Sequence, residues 1–105
     1  NIFDEIDKNI STPPKVLIIR FWRVPFVDAT AVNNFRNFII RKQKFGIHII
    51  ISKANEQVRG EFAKNGIDTL IGEENFLPDV QQAINRANEV IDSLNFEKNI
   101  NFEKK

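Results

Sequence analysis

The sequence predicts an α/β fold: a small, mostly parallel β-sheet flanked by four α-helices. Three observations lead there. Short apolar runs alternate along the chain with segments of helical period. The runs KVLIIRF (15–21) and IHIII (47–51) are apolar throughout, as expected of strands covered on both faces. Between them stand cap and stop residues suited to helix ends, Asp28, Gly46, Asn55 and Gly66. Alternating strands and helices imply right-handed crossovers and a parallel sheet.

Each element can be justified in order. Phe3, Ile6 and Ile10 lie at helical spacing, which predicts the end of a helix over 1–10. Pro13 and Pro14 stop it within a loop over 11–14. Lys15 to Phe21 forms the first strand. Trp22 to Val27 is a connection in which Pro25 blocks regular pairing. Asp28 caps a helix to about Phe45, with Ala31, Val32, Phe35, Phe38 and Ile39 as its apolar stripe. Arg36, Arg41 and Lys42 lie elsewhere on its surface. With Arg20 and Lys44 they make a modest basic face that reads as solvated helix surface. Gly46 takes the left-handed cap, and Ile47 to Ile51 forms the second strand. Asn55 caps a shorter helix carrying Val58, Phe62 and Ala63, which stops at Asn65-Gly66. Ile67 to Ile71 is expected as a third strand. Pro78 suits the first turn of a final helix, whose apolar face is Val80, Ala83, Ile84, Ala87, Ile91 and Leu94. The domain thus covers 1–94, and 95–105 is a polar, frayed tail with Phe96 and Phe102 available to pack back.

Composition narrows the function. The 105 residues fit one small domain. Fifteen basic and 14 acidic side chains give a net charge of +1, which lacks the positive field of a dedicated nucleic-acid binder. No run approaches the roughly 20 apolar residues of a membrane span. The absence of cysteine excludes thiol catalysis, disulfides and thiolate zinc sites. One histidine and no tyrosine leave few acid–base groups near neutral pH. Four scattered glycines make neither a dinucleotide fingerprint nor a P-loop, so a flavodoxin-like nucleotide enzyme ranks low. No catalytic residue, metal site or cofactor is expected.

Three places carry candidate function. The first is the strand-to-helix junction Val24 to Val32. Ligands of open parallel sheets gather beyond the carboxyl ends of the strands. The first turn of the following helix offers unpaired N–H groups to an anion or a phosphate. Pro25, Phe26, Asp28, Ala29 and Thr30 are the candidate anion- or partner-binding residues, with Thr30 the candidate phospho-acceptor. A phosphate there would add about −2 charge at an exposed turn. The plainer reading makes Asp28 a cap and Thr30 an ordinary first-turn residue. The second place is His48, which lacks carboxylate or thiol neighbours and reads as a structural or edge residue. A triad with Ser52 is excluded by the separation of the two along an extended chain. The third is Trp22-Arg23 with Phe26, which either contacts a partner or covers the end of the sheet.

The run KVLIIRFWRVPFVDATAV, with Gly46-Ile47 opening a strand, Asn55 to Val58 opening a helix, and then NGIDTLIGEENFLPDVQQAI, resembles a STAS domain. The resemblance spans about Phe3 to Ile91. Its most specific parts are the junction aspartate, Asp28, and the Gly66, Gly72, Pro78 pattern. It is closer to the sulfate permease (SulP) branch, whose junction reads much like Val24 to Thr30. That branch implies a parent anion:proton or anion:cation transporter with this domain on the cytoplasmic face of the inner membrane. The domain would do no chemistry. It would regulate, traffic or scaffold the transporter, with the transmembrane domain as its partner and a further protein or a nucleotide as candidate ligands. The other branch consists of free-standing anti-sigma-factor antagonists switched by phosphorylation, here at Thr30. Two departures matter. Family members begin with a strand pair that this chain lacks, so a sheet edge is open to a second copy in a homodimer. Antagonists place glycine after the phospho-acceptor, where this chain has Ala31.

Overall fold

The computed structural model describes the backbone over residues 16–103 and the side chains over 16–95. The expected helix over 1–10 and loop over 11–14 lie outside these residues, as do the side chains of Phe96 and Phe102. The elements are β1 (Val16–Arg20), α1 (Ala29–Lys44), β2 (His48–Ser52), α2 (Glu56–Lys64), α3 (Ile67–Ile71), a 3-10 turn (Glu73–Asn75), β3 (Phe76–Leu77) and α4 (Val80–Glu103). The sheet has the order β1-β2-β3 and both pairings are parallel. Val16 stands opposite His48 and Arg20 opposite Ser52, while β3 contributes only the pairs Ile51–Phe76 and Ser52–Leu77. This is the α/β architecture expected, with four helices around a small parallel sheet among the described residues.

The two faces of the sheet are filled differently. Ile19, Ile49 and Ile51 join Phe21 and the inner sides of α1, α2 and α3 in the larger core. At its centre Phe21, Phe35 and Phe62 meet with ring centroids 5.3–5.5 Å apart, within the range where aromatic pairs attract beyond simple burial. Ile50, on the other face, meets Ala83 and Ala87 of α4, with Val16, Ile18 and Leu77 partly covered beside them. Small residues on α4 let that helix lie close over the strands.

Most helix boundaries follow their caps. The Asp28 carboxylate accepts from the Ala31 amide at 2.8 Å, and the Asn55 carbonyl oxygen accepts from Val58 at 2.9 Å. Gly46 and Gly66 both take positive φ where the chain reverses.

Ile67 to Ile71 is a helix, not the expected third strand. Its amide bonds run Leu70 to Gly66 and Gly72 to Asp68, closing single turns. Ile67 and Ile71, four apart, are both buried, so the segment's period is helical. The third strand position goes to Phe76–Leu77. Pro78 stands one residue outside the cap of α4, because the Asp79 carboxylate accepts from Gln82 at 2.8 Å and Val80 opens the helix. Among the described residues the buried positions of α4 are Ala83, Ala87 and Val90, whereas Val80 and Ile84 of the expected apolar face are exposed. The α4 backbone stays helical through the expected tail to Glu103. Lys42, expected on the open surface of α1, is buried with its ammonium 5.5 Å from the centroid of the Phe38 ring. Ala63 is exposed rather than part of the α2 stripe.

Candidate functional site

The parallel sheet points all three carboxyl ends to one pole. There the β1–α1 connection (21–28) lies beside the β2–α2 connection (53–55), and Pro78 follows β3. The first connection leaves the sheet through a turn in which Val24 donates to the Phe21 carbonyl at 3.0 Å. Phe21 itself donates to Ser52, which keeps the exit of β1 tied to β2.

Two amides of the neighbouring element fix the rest of the connection. The Asn55 side-chain amide donates to the carbonyls of Val24 at 3.3 Å and Pro25 at 3.1 Å. Gln57 forms a two-way pair with Val27: its Nε2 donates to the Val27 carbonyl and its Oε1 accepts from the Val27 amide, both at 3.0 Å. A connection without regular pairing thereby gains four long-range hydrogen bonds. The Val27 side chain is buried beneath, which anchors the start of α1.

The candidate residues separate into two groups. Trp22, Arg23 and Pro25 line a cleft of about 560 Å³ together with Phe21, Lys53 and Asn55. Phe26, Asp28, Ala29 and Thr30 lie outside it. Trp22 is 48% exposed and Phe26 63% exposed, so both present apolar surface to solvent at the end of the sheet. The guanidinium carbons of Arg23 and Arg20 stand 4.1 and 5.2 Å from the Trp22 ring centroid, inside cation–π range. Asp28 is the cap, and exposed Thr30 is the second residue of α1.

Sequence reasoning missed Lys53, Gln57, Arg59 and Phe76. Lys53 has φ +55°, a conformation few side-chain-bearing residues adopt, and its amide donates to the Leu77 carbonyl at 2.9 Å. Arg59 stacks 3.8 Å above the Phe76 ring and reaches the Asp68 carboxylate at 3.4 Å. These contacts depend on the crossover bringing distant segments together, and no local spacing announces them.

His48 is exposed at the opposite, amino end of β2, while Ser52 is buried at its carboxyl end. The two are therefore about 13 Å apart along the strand. Among the described residues, no group of three or more histidine or carboxylate side chains is placed to hold a metal ion. No described helix is long and apolar enough to cross a membrane.

The STAS domain family model matches residues 1–83. A structure of a SulP transporter STAS domain from Vibrio cholerae is 34% identical, covering 88% of this chain and 72% of that one, with a TM-score of 0.77. A crystal structure of a sulfate transporter family protein from Wolinella succinogenes is 25% identical, covering 87% and 75%, with a TM-score of 0.79. No curated protein matches the chain closely enough to add a further comparison.

Proposed function

The chain belongs to the STAS domain family, and from that premise we propose that it is the cytosolic regulatory and interaction domain of a SulP-like anion transporter. The observation that carries this reading is the 34% identity to a SulP transporter STAS domain, joined to a TM-score of 0.77. The domain sits on the cytoplasmic face of the inner membrane, attached to a multi-pass transmembrane domain that is its first partner. It carries out no chemistry of its own and acts by contact.

The contact surface of this reading is the pole at the strand ends. The β1–α1 connection is held by Asn55 and Gln57, so Pro25 and Phe26 present a fixed shape. Asp28, Ala29 and Thr30 add the first turn of α1; its Ala31 amide is taken by the Asp28 carboxylate, and an anion or a phosphorylated side chain would meet the positive end of the helix at Ala29 and Thr30. Trp22 and Arg23 supply an exposed ring and a cation beside it. A second copy meeting the outer edge of β1 would give a homodimer.

The test is the size and location of the native protein. An antibody to this domain is used to blot fractionated source cells. A band several times larger than the 105-residue chain, in the membrane fraction, is expected. A band of this chain's own size in the soluble fraction would overturn the reading in favour of a free-standing antagonist switched at Thr30.

A further inference from the structure

A second cavity of about 240 Å³ borders the cleft beside Trp22; the two share Ala54 and Pro78 in their linings, and the second reaches Arg59. Their linings draw on the carboxyl ends of β1, β2 and β3, and the paired concavities are termed the trough. Strands about 4.8 Å apart make its span roughly 10 Å, the length of three or four extended residues.

The trough has an apolar floor and a basic rim. Ala54, Phe76, Leu77 and Pro78 form the floor, with the buried Phe21 and Ile51 beneath it. Every charged side chain lining it among the described residues is basic: Arg23, Lys53 and Arg59. Arg59 is a fixed wall, held by the Phe76 ring and Asp68. Arg23 and Lys53 are exposed and make no ion pair with a carboxylate among the described residues. The chain as a whole carries only +1, so this concentration of cations is local.

We propose that this trough docks an extended acidic segment of a separate protein, with an apolar side chain on the floor and flanking carboxylates on Arg23 and Lys53. Charge complementarity selects the occupant: unpaired cations beside a concave apolar floor match carboxylates interleaved with an apolar residue. The concavity favours a peptide over a flat lipid surface. The floor is shaped before binding, since Asn55 and the Lys53 amide already fix both connections, which lowers the ordering cost of association. The inference rests on reading this chain as an interaction domain, but it is tested without the transporter.

Trp22 is the chain's single tryptophan and stands at the trough's rim, so its emission reports occupancy directly. The 105-residue chain is titrated with a synthetic peptide of alternating glutamate and leucine, with its lysine–leucine counterpart, and with phosphatidylserine-containing and neutral vesicles. We expect the acidic peptide alone to change the emission, in a saturable manner that weakens as salt rises from about 0.05 M to about 0.5 M. Arg23→Glu with Lys53→Glu weakens that binding at least about tenfold, while Arg36→Glu on the exposed side of α1 leaves it unchanged. Thermal melts of each variant establish that the fold is intact, and Arg23→Gln with Lys53→Gln gives an intermediate loss. Equal binding by the charge-reversed and original proteins overturns the proposal. So does a response to phosphatidylserine vesicles with none to the acidic peptide, which assigns the patch to a membrane surface. Either failure leaves the transporter-domain reading standing, because that reading is decided by fractionation.

Discussion

Asn55 serves two hydrogen-bond systems with one side chain. Its oxygen caps α2, and its amide nitrogen holds the carbonyls of Val24 and Pro25. The two functions can be separated. Asn55→Asp keeps the capping acceptor and loses the donor, so the helix start survives while the connection loosens. We expect a loss of about 1 kcal/mol for Asn55→Asp and about 2 kcal/mol for Asn55→Ala. A domain of this size registers such losses as drops of roughly 4–8 °C per kcal/mol in melting temperature. Amide exchange over 24–27 should accelerate in both variants. If Asn55→Asp melts like the original protein, the clamp contributes nothing. Asp28→Ala removes a single exposed cap and should cost about 1 kcal/mol. Thr30→Asp adds a carboxylate to the first turn of α1, where the helix dipole favours it by about 0.3–1 kcal/mol. Its melting temperature should therefore hold or rise slightly while binding of a phosphorylated or anionic partner falls.

At the level of elements, the caps were legible and the chemistry of closure was not. Asp28 and Asn55 announced the starts of α1 and α2 because a capping side chain acts within three residues of itself. Ile67 to Ile71 misled because Ile, Leu and Ile over five residues suit either state. Its helical sign was present in the sequence: Ile67, Leu70 and Ile71 fall at i, i+3 and i+4. The junction Val24 to Thr30 was legible as a strand end followed by a helix cap, since that is a local pattern. The paired concavities were not, because Lys53, Arg59 and Phe76 reach the pole that carries Trp22 and Arg23 only after two crossovers. The aromatic centre is the element-scale contact with the largest expected effect. Phe62 is fully buried and lies against Phe21, Phe35 and Phe76. Phe62→Ala should cost about 3–5 kcal/mol, enough to consume most of a small domain's stability. Urea unfolding gives the measurement, and a loss under about 1 kcal/mol would mean the rings repack around the gap.

The whole molecule is asymmetric about its sheet. Three helices enclose one face, while α4 alone covers the described part of the other. Among the described residues, the second face is seated through Ile50, Ala83 and Ala87, with Val16, Ile18 and Leu77 beside them. Ala87→Asp places a charge beneath α4 and should detach it, with loss of cooperative unfolding by circular dichroism. Ile84→Lys, one turn back on the same helix but 41% exposed, should change stability by less than about 0.5 kcal/mol. Equal effects of the two would mean that α4 is not seated through Ala87. Every strand ends at the same pole, so one end of the molecule gathers the connections that the proposed contacts use, and the Phe45–Gly46 reversal lies at the other.

Phe76 belongs to both the trough and the interior. Its outer face carries Arg59 at 3.8 Å, and its centroid is 6.3 Å from that of Phe62, the hub of the buried rings. A group that settles beside Phe76 and shifts Arg59 would therefore tilt or fix a ring that packs against the core. Occupancy at the surface should appear as ring-current shifts in the Ile51 and Val58 methyl resonances, well before any helix moves.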